Sequence, residues 1–365
     1  MLAQEASKIG VHPYFLDKSS EFPAGLISQR LVEGDFKNYD DVLAFGRTMD
    51  IISIEIENVN VEALTQLEKD GHQVYPSPAS IAIIKDKGIQ KQFYQDNKLP
   101  SSAFQLFENK EAVLKALDEG RIQLPFVQKS RQAGYDGKGV LLVNNREKLD
   151  QLMDTACLVE ELVDIEKEIA IIVARNASGD TRFFDPVEMV FDPEGNLLDY
   201  LLCPAEIDSK QYEYIRELAY NIVKAMEYIG LLAIELFVTK DGEILINEIA
   251  PRTHNSGHHS IDACQVSQFN MQLRCLLDLS LPEPRLKYKY AGIVNLLGDK
   301  DSAIGPAHYF GLRELLSMEG VFPHIYGKDQ VKPLRKMGHV NVLADSKEAL
   351  LEKIAIIKKT ISIHV

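Results

Sequence analysis

A predicted β-hairpin near residue 240 constrains the fold of this chain more than any other stretch. The segment LLAIELFVTKDGEILINEIA (231–250) contains two apolar runs separated by Asp241-Gly242, a dipeptide typical of tight turns between antiparallel strands. Symmetric pairing about that turn brings Glu235 and Glu248 close together on neighbouring strands. The hairpin therefore predicts two adjacent carboxylates within an otherwise apolar sheet.

Two carboxylates in an apolar sheet are costly unless a cation lies between them. Asn247 and Asn255 add neutral oxygens nearby. This set of oxygens favours magnesium, whose remaining ligands are usually phosphates and water. The sequence therefore predicts magnesium held by Glu235 and Glu248. The alternative is that one glutamate pairs with Arg252 while the other points to solvent.

The segment NEIAPRTHNSGHH (247–259) ends in a loop that contains three histidines, His254, His258 and His259. Their closeness suggests zinc, but Gly257 and the polar residues around it predict an irregular loop. In such a loop, histidine spacing alone does not place the side chains on one face. We therefore predict no zinc site from the histidines, and a polar loop with solvated histidines remains the alternative.

The charge of the chain argues against nucleic-acid binding. The 365 residues carry a formal net charge of -14, whereas binding to phosphate backbones needs a surplus of Lys and Arg. The sequence contains no apolar run long enough to span a membrane and no signal-peptide pattern at its start. The cytoplasm is therefore the expected compartment.

The chain divides into three predicted domains. Residues 1–77 alternate short strands with helices, which is typical of an α/β domain. Two prolines in YPSPAS (75–80) mark its end, and residues 78–284 show the short strands and glycine turns of an α+β domain. Residues 285–365 predict a small β-rich C-terminal domain behind a proline-containing linker.

Apolar spacing predicts the main helices. Short helices are expected at 79–86 and 88–97, a long one at 208–229 and a cysteine-bearing one at 260–279. A final helix begins at Ser346. The long helix buries residues at three- and four-residue steps, namely Ile215, Ala219, Ile222, Val223, Met226 and Ile229.

The first domain begins unusually. MLAQEASKIG (1–10) has helical spacing without a capping residue, and VHPYFLD (11–17) and DIISIEIEN (50–58) predict strands whose ends face a ligand crevice. Glu55 lies at the second of these strand ends. The strand that usually opens such a unit is missing, so we expect that residues upstream of Met1 are absent from this sequence.

A glycine-rich segment suggests contact with phosphate. In QKSRQAGYDGKG (128–139), Lys129 ends a predicted strand and a loop with three glycines follows. Glycine lets backbone amides approach phosphate oxygens, and lysine supplies positive charge. The spacing is not that of a Walker A loop, and a plain β-hairpin turn is the alternative.

Two further segments suggest nucleotide contacts. VEELVDIEKE (159–168) places acids around an apolar pair between two strands, where the backbone can bind an adenine edge and Glu168 a ribose. YGKDQVKPLRKMGH (326–339) is a local basic cluster suited to one phosphate group. Solvated acids and a solvated basic loop are the respective alternatives.

In this order, the four segments resemble the ATP-grasp superfamily. APRTHNSGHHS, AGYDGKG and the late RKMGH are similar to the 5-(carboxyamino)imidazole ribonucleotide synthetase family in particular. The resemblance covers nearly the whole chain. It implies an ATP-grasp fold with a Rossmann-like pre-ATP-grasp domain, a small ATP-lid subdomain at about 100–160 and a small C-terminal domain.

The resemblance also implies roles for individual residues. Lys87 and Lys129 would contact the phosphates of ATP, and Glu168 would contact its ribose. The adenine would be contacted by Glu160, Glu161, Leu162 and Val163. Magnesium would lie on Glu235 and Glu248, with Asn247 beside them.

Implied substrates are 5-aminoimidazole ribonucleotide and bicarbonate. The residues around the ribonucleotide would be Glu55, Tyr135, Asp136, Lys138, Lys328 and Arg335, the last two on its phosphate. Bicarbonate and the carboxyphosphate made from it would be surrounded by Arg252, His254, Asn255 and Ser256. Asp136 or His254 would take the amine proton, and the family implies a homodimer.

Two other functions fit parts of the sequence. A related ATP-grasp ligase could use another acid, such as formate in glycinamide ribonucleotide transformylation. An ATP-binding module without turnover would fit the missing first strand. The basic C-terminal cluster and APRTHNSGH favour the carboxylating ligase over a formate-dependent ligase. The presence of both Glu235 and Glu248 favours it over an ATP-binding module without turnover.

Overall fold

The computed structural model describes residues 1–19, 22–25, 27–132, 139–191 and 198–365. In its described residues, the first domain contains four helices and four short strands, in chain order α1 (Leu2–Lys8), β1 (Phe15–Asp17), β2 (Leu31–Glu33), α2 (Tyr39–Gly46), β3 (Ile51–Ile52), α3 (Val61–Lys69), β4 (Gln73–Val74) and α4 (Pro78–Lys85). The strands form two separate parallel pairs, β1 with β2 and β3 with β4, instead of one sheet. The predicted strand 50–58 is therefore mostly wrong, because only its Ile51–Ile52 pair bonds to a neighbour.

A small antiparallel sheet follows the first domain. Its elements are α5 (Lys87–Asp96), β5 (Phe104–Phe107), α6 (Lys110–Asp118), β6 (Phe126–Ser130), β7 (Val140–Val143) and β8 (Cys157–Glu161). The strands lie in the order β5-β8-β6-β7, and α6 covers one face through Val113 and Ala116. This sheet coincides with the predicted ATP-lid region.

The central sheet carries the predicted hairpin. Its elements are β9 (Ile165–Arg175), β10 (Thr181–Phe183), β11 (Val187–Phe191), β12 (Leu198–Cys203), α7 (Ser209–Ala225), β13 (Gly230–Thr239), β14 (Ile244–Ala250), α8 (Ser260–Ala263) and α9 (Gln268–Leu276). β13 lies between β14 and β9 and pairs antiparallel with both. The apolar face of α7 packs on β9, β13 and β14 through Ile215 and Ile222.

The C-terminal region continues the same sheet. Its elements are β15 (Tyr290–Leu297), β16 (Gly305–Pro306), β17 (His308–Phe310), α10 (Leu312–Leu316), β18 (Val321–Ile325), β19 (Gln330–Val331), β20 (Lys336–Ala344), α11 (Lys347–Thr360) and β21 (Ser362–His364). β15 pairs with β12, and β20 and β18 follow it. The sheet therefore runs across the predicted boundary at residue 285.

Two predicted helices end differently from expectation. The helix predicted at 208–229 ends at Ala225, because Glu227 adopts a left-handed backbone with φ of 47°. The helix predicted at 260–279 is wrong as a single element. The chain is extended at Cys264, and Ser267 then caps α9 by accepting a hydrogen bond from the backbone of Asn270.

Among the residues that the structure describes, no helix has the length and apolarity needed to cross a membrane.

Candidate active site

The two hairpin glutamates lie directly opposite each other. Glu235 of β13 pairs in register with Glu248 of β14, and a β-bulge follows Glu235. Gly242 makes the turn possible with a φ of 84°, and its N–H donates to the carbonyl of Thr239 at 2.9 Å. The predicted hairpin and the closeness of its two carboxylates are confirmed.

The opposed carboxylates cannot both ionise freely. Burial, the neighbouring Glu248 and then Glu168 raise the pKa of Glu235 to about 8. Desolvation opposes the charge on Glu248, but the ammonium of Lys87 bonds to its Oε2 and lowers its pKa below the ordinary value. Arg252 instead pairs with Glu57 at 2.8 Å, so the alternative in which Arg252 neutralises one of the two glutamates is wrong.

The glutamate pair fits a divalent cation that carries additional ligands. A cation between the carboxylates, in addition to the ammonium of Lys87, would allow both carboxylates to ionise. Within the described ranges, no group of three or more His, Cys, Asp or Glu side chains could hold a metal ion. Two carboxylates without a full protein cage suit magnesium, which is usually held by one or two carboxylates together with substrate phosphates and water.

Lys87 owes its position to the start of α5. Asp86 caps the helix by accepting from the backbone of Gly88 at 2.8 Å, and both its oxygens accept from Arg131 at 2.9 Å. The backbone N–H of Lys87 also donates to the carbonyl of Arg131 at 3.0 Å. These bonds fix the start of α5 against the small sheet, from where Lys87 reaches Glu248 on the central sheet.

Lys129 lies in a second charged cluster between the sheets. Its ammonium is 2.7 Å from Oε2 of Glu160 and donates to Oδ1 of Asn247 at 3.0 Å. The other oxygen of Glu160 is 2.8 Å from the ammonium of Lys91, which the sequence reading missed. Burial opposes the charge on Glu160, but the two lysines lower its pKa below the ordinary value. The structure thus brings Lys87, Lys129 and Asn247 to the glutamate pair.

The connector predicted to bind adenine joins the two sheets. It runs from the end of β8 to the start of β9, and Leu162 at its centre is 46% exposed. The backbone N–H of Glu161 already donates to the carbonyl of Ala103 at 3.1 Å, which leaves the following residues for a ligand edge. Glu168 follows on β9, where burial raises its pKa to about 7 against the opposing attraction of Lys129.

The loop after β14 holds His254 in a defined orientation. Ser256 donates its backbone N–H to Nδ1 of His254 at 3.4 Å, and its Oγ lies 2.9 Å from the same nitrogen. Nε2 of the same ring is 3.6 Å from Oε1 of Glu235. Ser256 is fully buried and orients His254. Nδ2 of Asn255 is buried without a hydrogen-bond partner among the described residues, which leaves a donor for an anion.

Gln268 ties this loop to α9. Its Oε1 accepts from the backbone of His254 at 2.9 Å, and its Nε2 contacts the carbonyl of His254 and Nδ1 of His258, both at 2.8 Å. A Cβ at Gly257 would lie 2.3 Å from Ile172 and 2.6 Å from Gln268. The close approach of these side chains therefore requires glycine at this position.

Glu55 lies against the same loop from the first domain. Burial raises the pKa of Glu55, and Thr253 donates its hydroxyl to Oε2 of Glu55 at 3.4 Å. With the Glu57–Arg252 pair, this contact brings the first domain to the edge of the candidate site.

Three histidine rings form a column between this loop and the C-terminal strands. His258 stacks on His339, and His339 stacks on His324, each with ring centroids 4.6 Å apart. Nε2 of His324 is 2.8 Å from Asp262, and the hydroxyl of Tyr326 is 3.0 Å from Nδ1 of His339. The alternative of solvated histidines is therefore wrong for His258, because its ring stacks on a ring of the C-terminal strands.

Two rings of the column, His258 and His339, are held neutral in the folded protein. Burial, and then the charges of His254 and His324, lower the pKa of His258 well below its ordinary value. Burial and the neighbouring rings lower the pKa of His339 in the same way. Protons therefore bind more strongly to these residues in the unfolded chain.

We expect the stability of the protein to fall as the pH drops below about 6.5, the ordinary histidine pKa. In that range the unfolded chain binds more protons, which lowers the free energy of unfolding by up to about 1.4 kcal/mol per pH unit for each buried histidine. His339→Phe keeps a ring in the column and should reduce this slope in urea unfolding. Replacement of the exposed His12 by Phe is the control. Equal slopes in wild type and His339→Phe would contradict the interpretation.

The predicted basic cluster lies at the end of β18 and the start of β20. The ammonium of Lys328 donates to the carbonyl of Lys336 at 2.6 Å, and Arg335 donates to the carbonyl of Gln330 at 2.6 Å. The positive charge of Lys336 acts to lower the pKa of Glu235, so the cluster borders the glutamate pair. The remaining predicted substrate residues, Tyr135, Asp136 and Lys138, lie outside the described residues.

Comparisons with known proteins match the chain along most of its length. Residues 1–85 match the ribonucleotide synthetase preATP-grasp domain and residues 92–269 the ATP-grasp domain. Residues 291–353 match the phosphoribosylaminoimidazole carboxylase C-terminal domain. The predicted architecture of a pre-ATP-grasp domain, an ATP-grasp domain and a C-terminal domain is confirmed.

Curated relatives show the same similarity. The N5-carboxyaminoimidazole ribonucleotide synthase of Synechococcus elongatus is 35% identical over 347 residues, which are 94% of this chain and 86% of that protein. The chloroplastic phosphoribosylaminoimidazole carboxylase of Vigna aconitifolia is 32% identical over 372 residues. That alignment covers 100% of this chain, but this chain spans only 65% of the length of the Vigna protein.

Solved structures are also similar. The N5-carboxyaminoimidazole ribonucleotide synthetase of Thermotoga maritima superposes with a TM-score of 0.90 at 35% identity, covering 100% of this chain and 95% of that one. The Aspergillus clavatus N5-carboxyaminoimidazole synthase, solved with ADP and 5-aminoimidazole ribonucleotide, gives a TM-score of 0.86 at 26% identity. That superposition covers 98% of this chain and 95% of that one.

Proposed function

Because this chain belongs to the N5-carboxyaminoimidazole ribonucleotide synthetase family of ATP-grasp ligases, we propose that it carboxylates the amine of 5-aminoimidazole ribonucleotide with ATP and bicarbonate. The products are N5-carboxyaminoimidazole ribonucleotide, ADP and phosphate, and the step belongs to purine biosynthesis. The observation that carries this proposal is the opposed pair Glu235 and Glu248 with two lysines around it. We also propose that the protein is a homodimer, as the family resemblance implies, and that it works in the cytoplasm, the compartment expected from the sequence.

ATP lies between the small and the central sheet in this proposal. Lys87 and Lys129 contact its phosphates, and the connector from Glu160 to Val163 contacts the adenine. Glu168 accepts hydrogen bonds from the ribose. Magnesium held by Glu235 and Glu248 would neutralise charge on the phosphate oxygens. The support is the placement of both carboxylates and both lysines where the two sheets face each other.

The first chemical step joins bicarbonate to the terminal phosphate. An oxygen of bicarbonate attacks the γ-phosphorus, the bond to the bridging oxygen breaks, and ADP leaves with that electron pair. The ammonium groups of Lys87 and Lys129 offset the negative charge of the transferring group. Asn255, whose Nδ2 has no hydrogen-bond partner in the described part of the chain, and Arg252 bind the carboxyphosphate that forms.

The second step transfers the carboxyl group to the amine. The amine nitrogen attacks the carbonyl carbon of carboxyphosphate, phosphate leaves, and the nitrogen loses a proton. His254 or Asp136 accepts this proton. The ribonucleotide phosphate binds Lys328 and Arg335, while Glu55, Tyr135 and Lys138 contact the rest of that substrate and Ser256 holds His254 in place.

We expect phosphate release from ATP to depend on both proposed substrates. With magnesium and bicarbonate present, 5-aminoimidazole ribonucleotide should increase the release several-fold, and radiolabelled bicarbonate should enter the ribonucleotide in equal amount. Assays without magnesium and without bicarbonate are the controls. Release that requires formate in place of bicarbonate would contradict the proposed acid substrate, and ATP binding without any release would contradict turnover.

A further inference from the structure

Lys91 is a buried lysine that has no role in the proposed function. It extends from α5 beneath the small sheet, where its ammonium is 2.8 Å from Oε1 of Glu160 and 2.9 Å from Oγ of Ser102. The side chains of Lys91 and Glu160 are each only 4% exposed. The lysine is therefore fully occupied by Glu160 and Ser102, and its function must act through one of them.

Glu160 divides its carboxylate between two lysines. Oε1 faces Lys91 at 2.8 Å, and Oε2 faces Lys129 at 2.7 Å. Two ammonium groups and one carboxylate leave this cluster with one net positive charge beside the glutamate pair. If Lys91 were neutral, Lys129 would be the sole counterion of a buried carboxylate, and the cluster would carry no net charge.

The net positive charge of the Lys91–Glu160–Lys129 cluster affects ATP binding because Lys129 extends from this cluster to the active site. Its ammonium also bonds to Asn247, which precedes Glu248 on β14. A buried charge is screened weakly, so one positive charge in the cluster has a large effect on a phosphate nearby.

We propose that Lys91 is a positioning residue for ATP: it occupies one oxygen of Glu160, so that Lys129 keeps its charge and orientation for the phosphates. This inference rests on the proposed function, because it takes Lys129 as a phosphate ligand. It adds a residue that touches neither nucleotide nor metal.

Lys91→Met tests the inference through the split between KM and kcat. We expect the KM for ATP to rise about tenfold, as the loss of one nearby charge in a partly screened site predicts, while kcat at saturating ATP changes far less. Lys91→Arg keeps the charge and should keep a KM near that of wild type. Lys85→Met, a lysine on the preceding helix that donates to the carbonyl of Val59, is the matched control and should leave KM unchanged.

Three results would overturn the inference. An unchanged KM in Lys91→Met would show that Lys129 does not depend on Lys91. An equal rise in Lys91→Met and Lys91→Arg would show that shape, and not charge, is what matters. An equal rise in Lys85→Met would show a general effect of removing lysine. If Lys91→Met fails to fold, Lys91→Gln, which can still donate to Glu160, replaces it with the same expected rise.

Equilibrium binding separates this inference from the proposed function. Calorimetric titration of each variant with magnesium and ATP, without bicarbonate, should show the same tenfold weakening and requires no turnover. A wild-type protein without substrate-dependent phosphate release would contradict the proposed function alone. Equal ATP affinity in wild type and Lys91→Met would contradict the role of Lys91 alone.

Discussion

Glu248→Gln is expected to lower kcat for phosphate release by at least about 100-fold, since a catalytic metal supplies several kcal/mol of charge stabilisation in the transition state. Glu248 contacts Lys87 and lies opposite Glu235. Glutamine keeps the size of the side chain but removes the charge that would hold magnesium. The measurement is ATP-dependent phosphate release at saturating substrates over a range of magnesium concentrations.

The same hairpin offers a matched control for this substitution. Glu243 immediately precedes β14 at an exposed position, five residues before Glu248. Glu243→Gln removes the same charge from the same hairpin and should leave kcat near that of wild type. Activity within a few-fold of wild type in Glu248→Gln, at any magnesium concentration, would rule out this carboxylate as a metal ligand.

The hairpin could be predicted because its cause is local. Asp241-Gly242 sets the turn, the turn sets the register, and the register places Glu235 opposite Glu248. The long helix was also predictable, since its apolar spacing is periodic, although its end at Ala225 depends on the backbone of Glu227. Features fixed within about twenty residues were therefore accessible from the sequence.

Features that depend on distant pairing were not accessible. Lys91 and Glu160 lie 69 positions apart by their numbers, and nothing local in either segment indicates that they meet. The stack of His258 on His339 joins segments that are still further apart. The break between α8 and α9 was missed because Ser267 can cap a helix or continue one, and the buried bond from the backbone of Gln268 to Ser260 selects the cap.

Glu160→Gln is expected to cause the largest loss of stability among these variants. It leaves the buried ammonium groups of Lys91 and Lys129 without their shared carboxylate. Removing one partner from a buried ion pair costs about 3–5 kcal/mol, because the remaining charge is left uncompensated. The free energy of unfolding, measured by urea denaturation with circular dichroism, should fall by this amount.

The control is another glutamate between two cations, but at the surface. Glu119 is 2.8 Å from Arg121 and 3.9 Å from Lys115, with 45% of its side chain exposed. Glu119→Gln should cost about 0–1 kcal/mol, because solvent screens the pairs.

Adding Lys91→Gln to Glu160→Gln removes one of the uncompensated charges, so the double variant should be more stable than the sum of the single losses predicts. If the losses of stability in the two single variants simply add in the double variant, Lys91 and Glu160 do not compensate each other's charge, contrary to what their distance indicates.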